Sequence, residues 1–233
     1  MIVVVGPAAL RTTPAGAGQA VGAAPEIAAA AAADGAMVEI VTKIGEDGAG
    51  EELLLALGRA GIGHLAALRD PTRPTSLAMA DVEAPEEDLE VISIVLAEGE
   101  SAMGDQSGKS PPGTAPESSP AMTLEPADVA LGLQYLREYR VLVVVEPLGE
   151  AGAAVVVEAA AFAGATLVVV ARPGVVVAAA YAAATLLEAP ADDRDGAFTG
   201  LVGRYAAALD RGIAPAEAFR AATSAGGWEA VGG

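Results

Sequence analysis

Three carboxylates crowd one short stretch near the end of the chain. Asp192, Asp193 and Asp195 precede the helical pattern that begins at Ala197. Acids in that place suit the partial positive charge of a helix start and cap its free amides, and they would repel a polyphosphate. They are oxygen donors of the kind magnesium takes, but nothing in the sequence gathers them for a metal, and no metal site is expected. Glu26 is a second acid at a helix start, with the same bland role available to it. Arg172-Pro173 follows an apolar run that reads as a strand, and strand ends face the binding crevice in open α/β sheets. With Arg11, which follows the first strand, Arg172 is a candidate anion-binding residue.

Other reactive groups are few. His64 is the only histidine; it falls in Gly61-Ile62-Gly63-His64 after a helical stretch and reads as a surface or cap residue in a turn. Gly104–Ser110 spells GDQSGKS, which invites a phosphate-loop reading. That motif needs four residues between its glycines, a strand before it and a helix after it, and none of these is present. Tyr135, Tyr139, Tyr181, Tyr205 and Trp228 are scattered, and helical tyrosines beside alanine-rich faces suit a core or an interface. The chain has no cysteine, so it has no disulfide framework, thiolate nucleophile or cysteine metal site.

Composition narrows the partners. The formal charge is -18, with 13 lysines and arginines against 31 acids. Nucleic acid and anionic membranes are bound by clustered basic residues, so neither is an expected partner. Apolar residues make up 53%, yet aromatics only 3%, which predicts a core of small side chains with helices close to the sheet. No apolar stretch reaches the roughly 18 to 20 residues of a membrane span. Met1–Val5 runs into Gly6-Pro7 with no basic residue ahead of it, and reads as a first strand and not a signal peptide. A cytoplasmic protein is the expectation.

The elements alternate. Strands are predicted at 2–5, 37–41, 89–96, 141–145 and 167–171, most of them apolar on consecutive residues, as in a sheet covered on both faces. Helices are predicted at 25–33, 50–60, 125–138, 150–163, 197–211 and 215–224. Residues 98–122, rich in Gly, Ser, Pro and charge, predict a disordered loop. The pattern fits one domain over 1–233, a three-layer αβα fold with a mostly parallel sheet.

Two stretches carry a family resemblance. Val21–Ile62, VGAAPEIAAAAAADGAMVEIVTKIGEDGAGEELLLALGRAGI, resembles the N-terminal signature of the ribokinase/PfkB carbohydrate kinases. Its pieces are the Val21-Gly22 turn, Glu26 in the following helix, the Asp34-Gly35-Ala36 exit and the Gly45-Glu46-Asp47-Gly48-Ala49-Gly50 turn. Pro74-Thr75 resembles the Pro-Thr that follows. Gly196–Gly227, GAFTGLVGRYAAALDRGIAPAEAFRAATSAGG, resembles the C-terminal signature, in which Gly-Ala-Gly-Asp-x-Phe-x-Gly opens a helix.

The resemblance implies a ribokinase-like fold and, at first sight, ATP- and magnesium-dependent phosphoryl transfer to a sugar hydroxyl. The chemical positions have changed, however. Aligned on Phe198 and Gly200, Asp193-Arg194-Asp195-Gly196 lies over Gly-Ala-Gly-Asp, so Gly196 stands where the family has its base, and Asp195 could act only if displaced by one residue. Gly196 and Ala197 take the place of the anion hole. At the sugar end the family's early Asp maps onto Arg11. Its Gly-Gly turn becomes Val21-Gly22, with a branched side chain where the family has backbone freedom, and its Asn becomes Glu26. Arg11, Gly22 and Glu26 are therefore the candidate substrate-binding positions.

The chain is also shorter than the pattern. About fifteen residues lie between Leu10 and Pro25, which leaves too little room for the family's first pair of lid strands, so the lid is expected to be reduced or absent. The Asn-x-x-Glu motif of the magnesium-phosphate region is missing between Ala171 and Gly196. The expected function is a catalytically inactive binding or assembly module with no cofactor. The alternative is a diverged ATP-dependent carbohydrate or nucleoside kinase, with ATP and Mg and with Asp195 as base. A small-molecule ligand is compatible with either. The apolar run Val175–Leu187, left without the family's covering segments, predicts a homodimer.

Overall fold

The computed structural model describes residues 1–12, 16–78, 122–193 and 195–225. The predicted strand at 89–96, the GDQSGKS stretch, Trp228 and all but the last residue of the predicted loop at 98–122 lie outside the described residues.

The chain enters through β1 (Ile2–Val5), passes a two-stranded ribbon β2 (Ala9–Thr12) and β3 (Gly18–Val21), and runs through α1 (Ala23–Ala33), β4 (Val38–Gly45), α2 (Gly48–Arg59) and β5 (Ile62–Asp70). After the undescribed segment come α3 (Pro126–Tyr135), β6 (Val141–Val145), α4 (Glu150–Ala163), β7 (Thr166–Ala171), a 3₁₀ turn at Ala179–Ala183, β8 (Thr185–Glu188), α5 (Ala197–Asp210) and α6 (Pro215–Ala225). Six strands form one sheet in the order β5-β4-β1-β6-β7-β8, and every pair in it is parallel. β1, β6 and the apolar middle of β7 are buried on both faces, which is why they read as continuous Val/Ile runs and not as alternating patterns. Ile2 and Val4 point into the layer that holds α1 and α5; Val3 and Val5 point into the layer that holds α3 and α4.

Small residues let the layers close up, as the composition implies. α1 crosses α5 at Gly203, where an added Cβ would lie 2.5 Å from Ala30 Cβ and 2.7 Å from the Ile27 carbonyl oxygen. Only glycine fits there, and the contact brings the N-terminal ends of the two helices side by side.

Several expectations change. The stretch between Leu10 and Pro25 does hold a strand pair: Ala9 pairs with Val21 and Thr12 with Gly18 in antiparallel register. Strands of four residues span only about 13 Å each, so a short ribbon fits where full lid strands would not. β2 is further tied to the segment after Thr75, because Leu10 N–H donates to the Ser76 carbonyl at 2.9 Å and Ala78 N–H to the Leu10 carbonyl at 2.9 Å. A short strand pair thus stands where the lid was expected to be reduced or absent. His64 lies on β5, not in a turn. An extra residue on β5 between its pairings with Glu39 and Val41 makes a bulge, and the Glu39 carboxylate caps the loosened Leu65 N–H at 3.2 Å. Met122, placed at sequence level in the disordered loop, is buried and donates its N–H to Ser76 Oγ at 3.0 Å. Of Val175–Leu187, Tyr181 is buried and β8 extends the sheet, while Val176 is 93% exposed and Leu186 51%.

Candidate functional site

The sheet changes winding direction between β1 and β6. From β1 the chain goes to β4 and β5 on one side, then to β6, β7 and β8 on the other. The carboxyl ends of these two strands, Gly6-Pro7 and Glu146-Pro147, therefore open a crevice, the place where open α/β sheets bind ligands. A cavity of about 470 Å³ lies there, between the strand ends, the segment Met122–Leu124 with Pro126 that leads into α3, and the first turn of α4.

On the α1/α5 side, the two helix starts meet. Gly22 caps α1 with φ of 109°, a conformation that suits glycine and strains other residues. Val21, the branched residue of that turn, is a buried strand residue, and the positive φ falls one residue later, on Gly22. Glu26 lies one turn into α1. Its Oε1 accepts the Gly22 N–H at 3.3 Å and its Oε2 lies 3.3 Å from the Thr199 hydroxyl, which shares its one proton between this carboxylate and the Gly196 carbonyl at 3.1 Å, so the carboxylate bridges the tips of α1 and α5.

The tip of α5 is occupied from within. Gly196 stands at its cap with φ of 63°. The Asp193 carboxylate accepts the Phe198 N–H at 2.8 Å with one oxygen and the Thr199 N–H at 2.9 Å with the other. These amides form the part of a helix start that would otherwise hold an anion. The capping expected of the acidic stretch is thus carried out by Asp193, reaching forward from outside the helix. Asp195 is exposed in the turn before Gly196, and Ala197 is the exposed first residue of α5.

The two arginines have different partners. Arg11 on β2 donates to Gln19 Oε1 across the ribbon at 3.0 Å. Arg172, past the end of β7, pairs with Glu146 past the end of β6. Gly22, Glu26, Asp193 and Gly196 do come together, at the paired helix tips. Thr199 belongs with them and was missed at sequence level, because its only signal was its place one turn into α5.

A second polar knot fixes the segment after β5 to the start of α2. Asp47 caps α2: its Oδ1 accepts the Gly50 N–H at 2.7 Å and the Thr75 hydroxyl at 2.6 Å, and its Oδ2 accepts the Thr75 N–H at 2.8 Å. The Thr75 oxygen in turn accepts the Gly45 N–H at 2.9 Å. Burial alone would push the Asp47 carboxyl up, but the Thr75 hydroxyl and the N–H groups of Thr75, Gly50 and Ala49 outweigh it and hold the group below the usual carboxylate range. On the other face, Lys43 on β4 donates to Asp128 Oδ2 at 3.0 Å and lies 3.6 Å from Asp70, tying α3 to the sheet. Its pKa is raised, first by the hydrogen bond to Asp128 and further by the charges of Asp128, Asp70 and Glu125 against the opposing effect of burial. Burial pushes the Tyr181 phenol up to about 12. Among the described residues no group of three or more His, Asp or Glu side chains is arranged to hold a metal ion, and no helix is long and apolar enough to cross a membrane.

No protein-family model matches the sequence, and no curated protein matches it in sequence. Solved structures do match in shape. A protein designated Sa239 superimposes with a TM-score of 0.62 at 13% identity, over 100% of this chain and 94% of its own. The PfkB protein of Polaromonas sp. JS666 gives 0.57 at 13% identity, over 97% and 94%. The ribokinase of Arabidopsis thaliana, solved with ribose and ATP, gives 0.55 at 13% identity, over 97% and 90%. With its six-stranded parallel sheet and flanking helices, the chain has the ribokinase-like fold of the PfkB carbohydrate kinases.

Proposed function

We propose that this chain is a ribokinase-like protein that no longer transfers phosphate and acts as a binding or assembly module. The observation that carries the reading is the Asp193 carboxylate seated on the Phe198 and Thr199 amides. Phosphoryl transfer needs donors aimed at the charge that develops on the phosphate. A carboxylate already on those donors takes up their capacity and adds a like charge beside any incoming phosphate. Gly196, aligned with the family's base, has no side chain to accept a proton, and Glu26 is engaged with Gly22 and Thr199.

The test is thermal stability with and without ATP-Mg²⁺, together with turnover assays on a panel of sugars and nucleosides. A ligand that binds only the folded state raises its stability. The expected result is no shift at millimolar ATP and no turnover. The second reading, a diverged ATP-dependent kinase of a sugar or nucleoside, is favoured by one observation: Asp195 is exposed at the entrance to the α5 tip. Turnover lost in Asp195→Asn would establish it and overturn the first. Assembly would take the form of a homodimer, supported by the exposed Val176 and Leu186 near and on the edge strand β8.

A further inference from the structure

The crevice cavity is walled by Pro7, Met122, Leu124 and Leu148, and the only described side chains lining it that can carry charge are Glu146 and Glu150. No lysine, arginine or histidine is among those lining residues, and Thr123 supplies the single hydroxyl. A sugar would leave most of its hydroxyls facing hydrocarbon, and each polar group buried without a partner is costly. A phosphate or carboxylate would find the N–H groups of the first turn of α4, which no side chain caps, but also the Glu150 carboxylate and the Glu146 carboxylate that Arg172 pairs, with no cationic side chain in the wall. An apolar ring carrying an ammonium group meets neither objection, and about 470 Å³ is within the range of small-ligand sites.

Glu146 is held in an unusual way that fits such a role. It leaves β6 with φ of 65°, a left-handed conformation that a non-glycine side chain adopts at a cost and that clusters at ligand sites. Its N–H is fixed to the Val170 carbonyl at 3.1 Å. The carboxylate is only half exposed, and its bond to Arg172 runs through Oε1; that of Glu150, to the Ala179 N–H at 3.3 Å, also runs through Oε1. Arg172 is 71% exposed on its side chain, so an ammonium entering from the cavity could take over its place on Glu146.

From this we infer that the crevice binds a small apolar amine, with the ring against Pro7, Leu124 and Leu148 and the ammonium between Glu146 and Glu150. The inference rests on the reading that the site no longer handles sugar and nucleotide. The test is calorimetric titration of the full chain with tryptamine, indole-3-propionate and ribose as probes. Tryptamine is expected to bind at one site, indole-3-propionate and ribose not at all. Glu146→Gln/Glu150→Gln is expected to weaken tryptamine at least five-fold. Ala151→Trp, at an exposed position on the cavity wall, is expected to abolish binding without burying new bulk in the core. No tryptamine binding at 10 mM, saturable ribose binding, or tryptamine binding unchanged in both variants would overturn the inference. Sugar turnover in the same preparation would overturn the reading beneath it, whatever the amine does.

Discussion

Replacing Asp193 by alanine separates a seated internal anion from a merely nearby acid. The substitution removes the acceptor from two amides, at 2.8 and 2.9 Å, in the first turn of α5. Loss of a helix-capping acceptor costs about 0.5 to 2 kcal/mol, and the lost interaction of a carboxylate with the helix dipole adds about 0.3 to 1 kcal/mol. The side chain is partly exposed, so water re-solvates part of what is lost, and a total of about 1 to 2 kcal/mol is reasonable. For a chain of this size that lowers Tm by about 2 to 8 °C. The amides set free should then accept an external anion. With a Kd of about 1 mM, sulfate at about 10 mM would return about 1.4 kcal/mol, close to the whole loss. The assay is thermal melting of wild type and Asp193→Ala across a sulfate series, with chloride at matched ionic strength. The expected result is a variant that is less stable in chloride and selectively rescued by sulfate. A variant as stable as wild type in chloride, or a wild type rescued equally by sulfate, would refute the seating of Asp193 and with it the main support for an inactive site.

Asp47→Ala should cost about 2 to 4 kcal/mol, since it removes the α2 cap and strands the Thr75 hydroxyl and N–H; chemical denaturation measures it. Because the folded-state pKa of Asp47 is depressed, its contribution is present above the ordinary carboxylate pKa and is lost as pH falls through the folded-state value, so the gap between wild type and Asp47→Asn should narrow below about pH 4. Lys43 behaves in the opposite sense: its folded pKa is raised, so its contribution holds below the ordinary lysine value of 10.5 and fades as pH rises through the folded one, which a denaturation series of wild type against Lys43→Met from pH 8 to 12 would follow. Gly203→Ala should lower stability by about 1 to 3 kcal/mol through overpacking against α1, and a neutral result would refute the close α1–α5 contact at this position. Sedimentation should find a dimer that Val176→Asp/Leu186→Asp shifts toward monomer; a concentration-independent monomer mass would refute it.

The elements that stood out in the sequence were those whose neighbours hardly matter. β1, β6 and α4 are apolar on both faces or strongly helix-forming over their length, and their predicted and observed bounds coincide. β5 was hidden, because Gly63, His64 and Arg69 give it no strand pattern; it forms because β4 offers a free edge and the bulge at Glu39 absorbs the misfit. β2 and β3 were hidden for the same reason, being held by each other and by the segment after Thr75.

At the site the division is similar. Residue types and order alone showed that acids stand ahead of α5, that glycine stands where the resembling kinases have their base, and that no cluster of basic residues awaits phosphate. Capping is local, so Asp193 needs only its own helix to find its partners. The bridge from Glu26 to Thr199 joins residues 173 apart, and the cavity between β1 and β6 joins segments just as distant. Such contacts are set by the close passage of α1 over Gly203 and by the reversal of the sheet's winding at β1, and only the packed layers decide those.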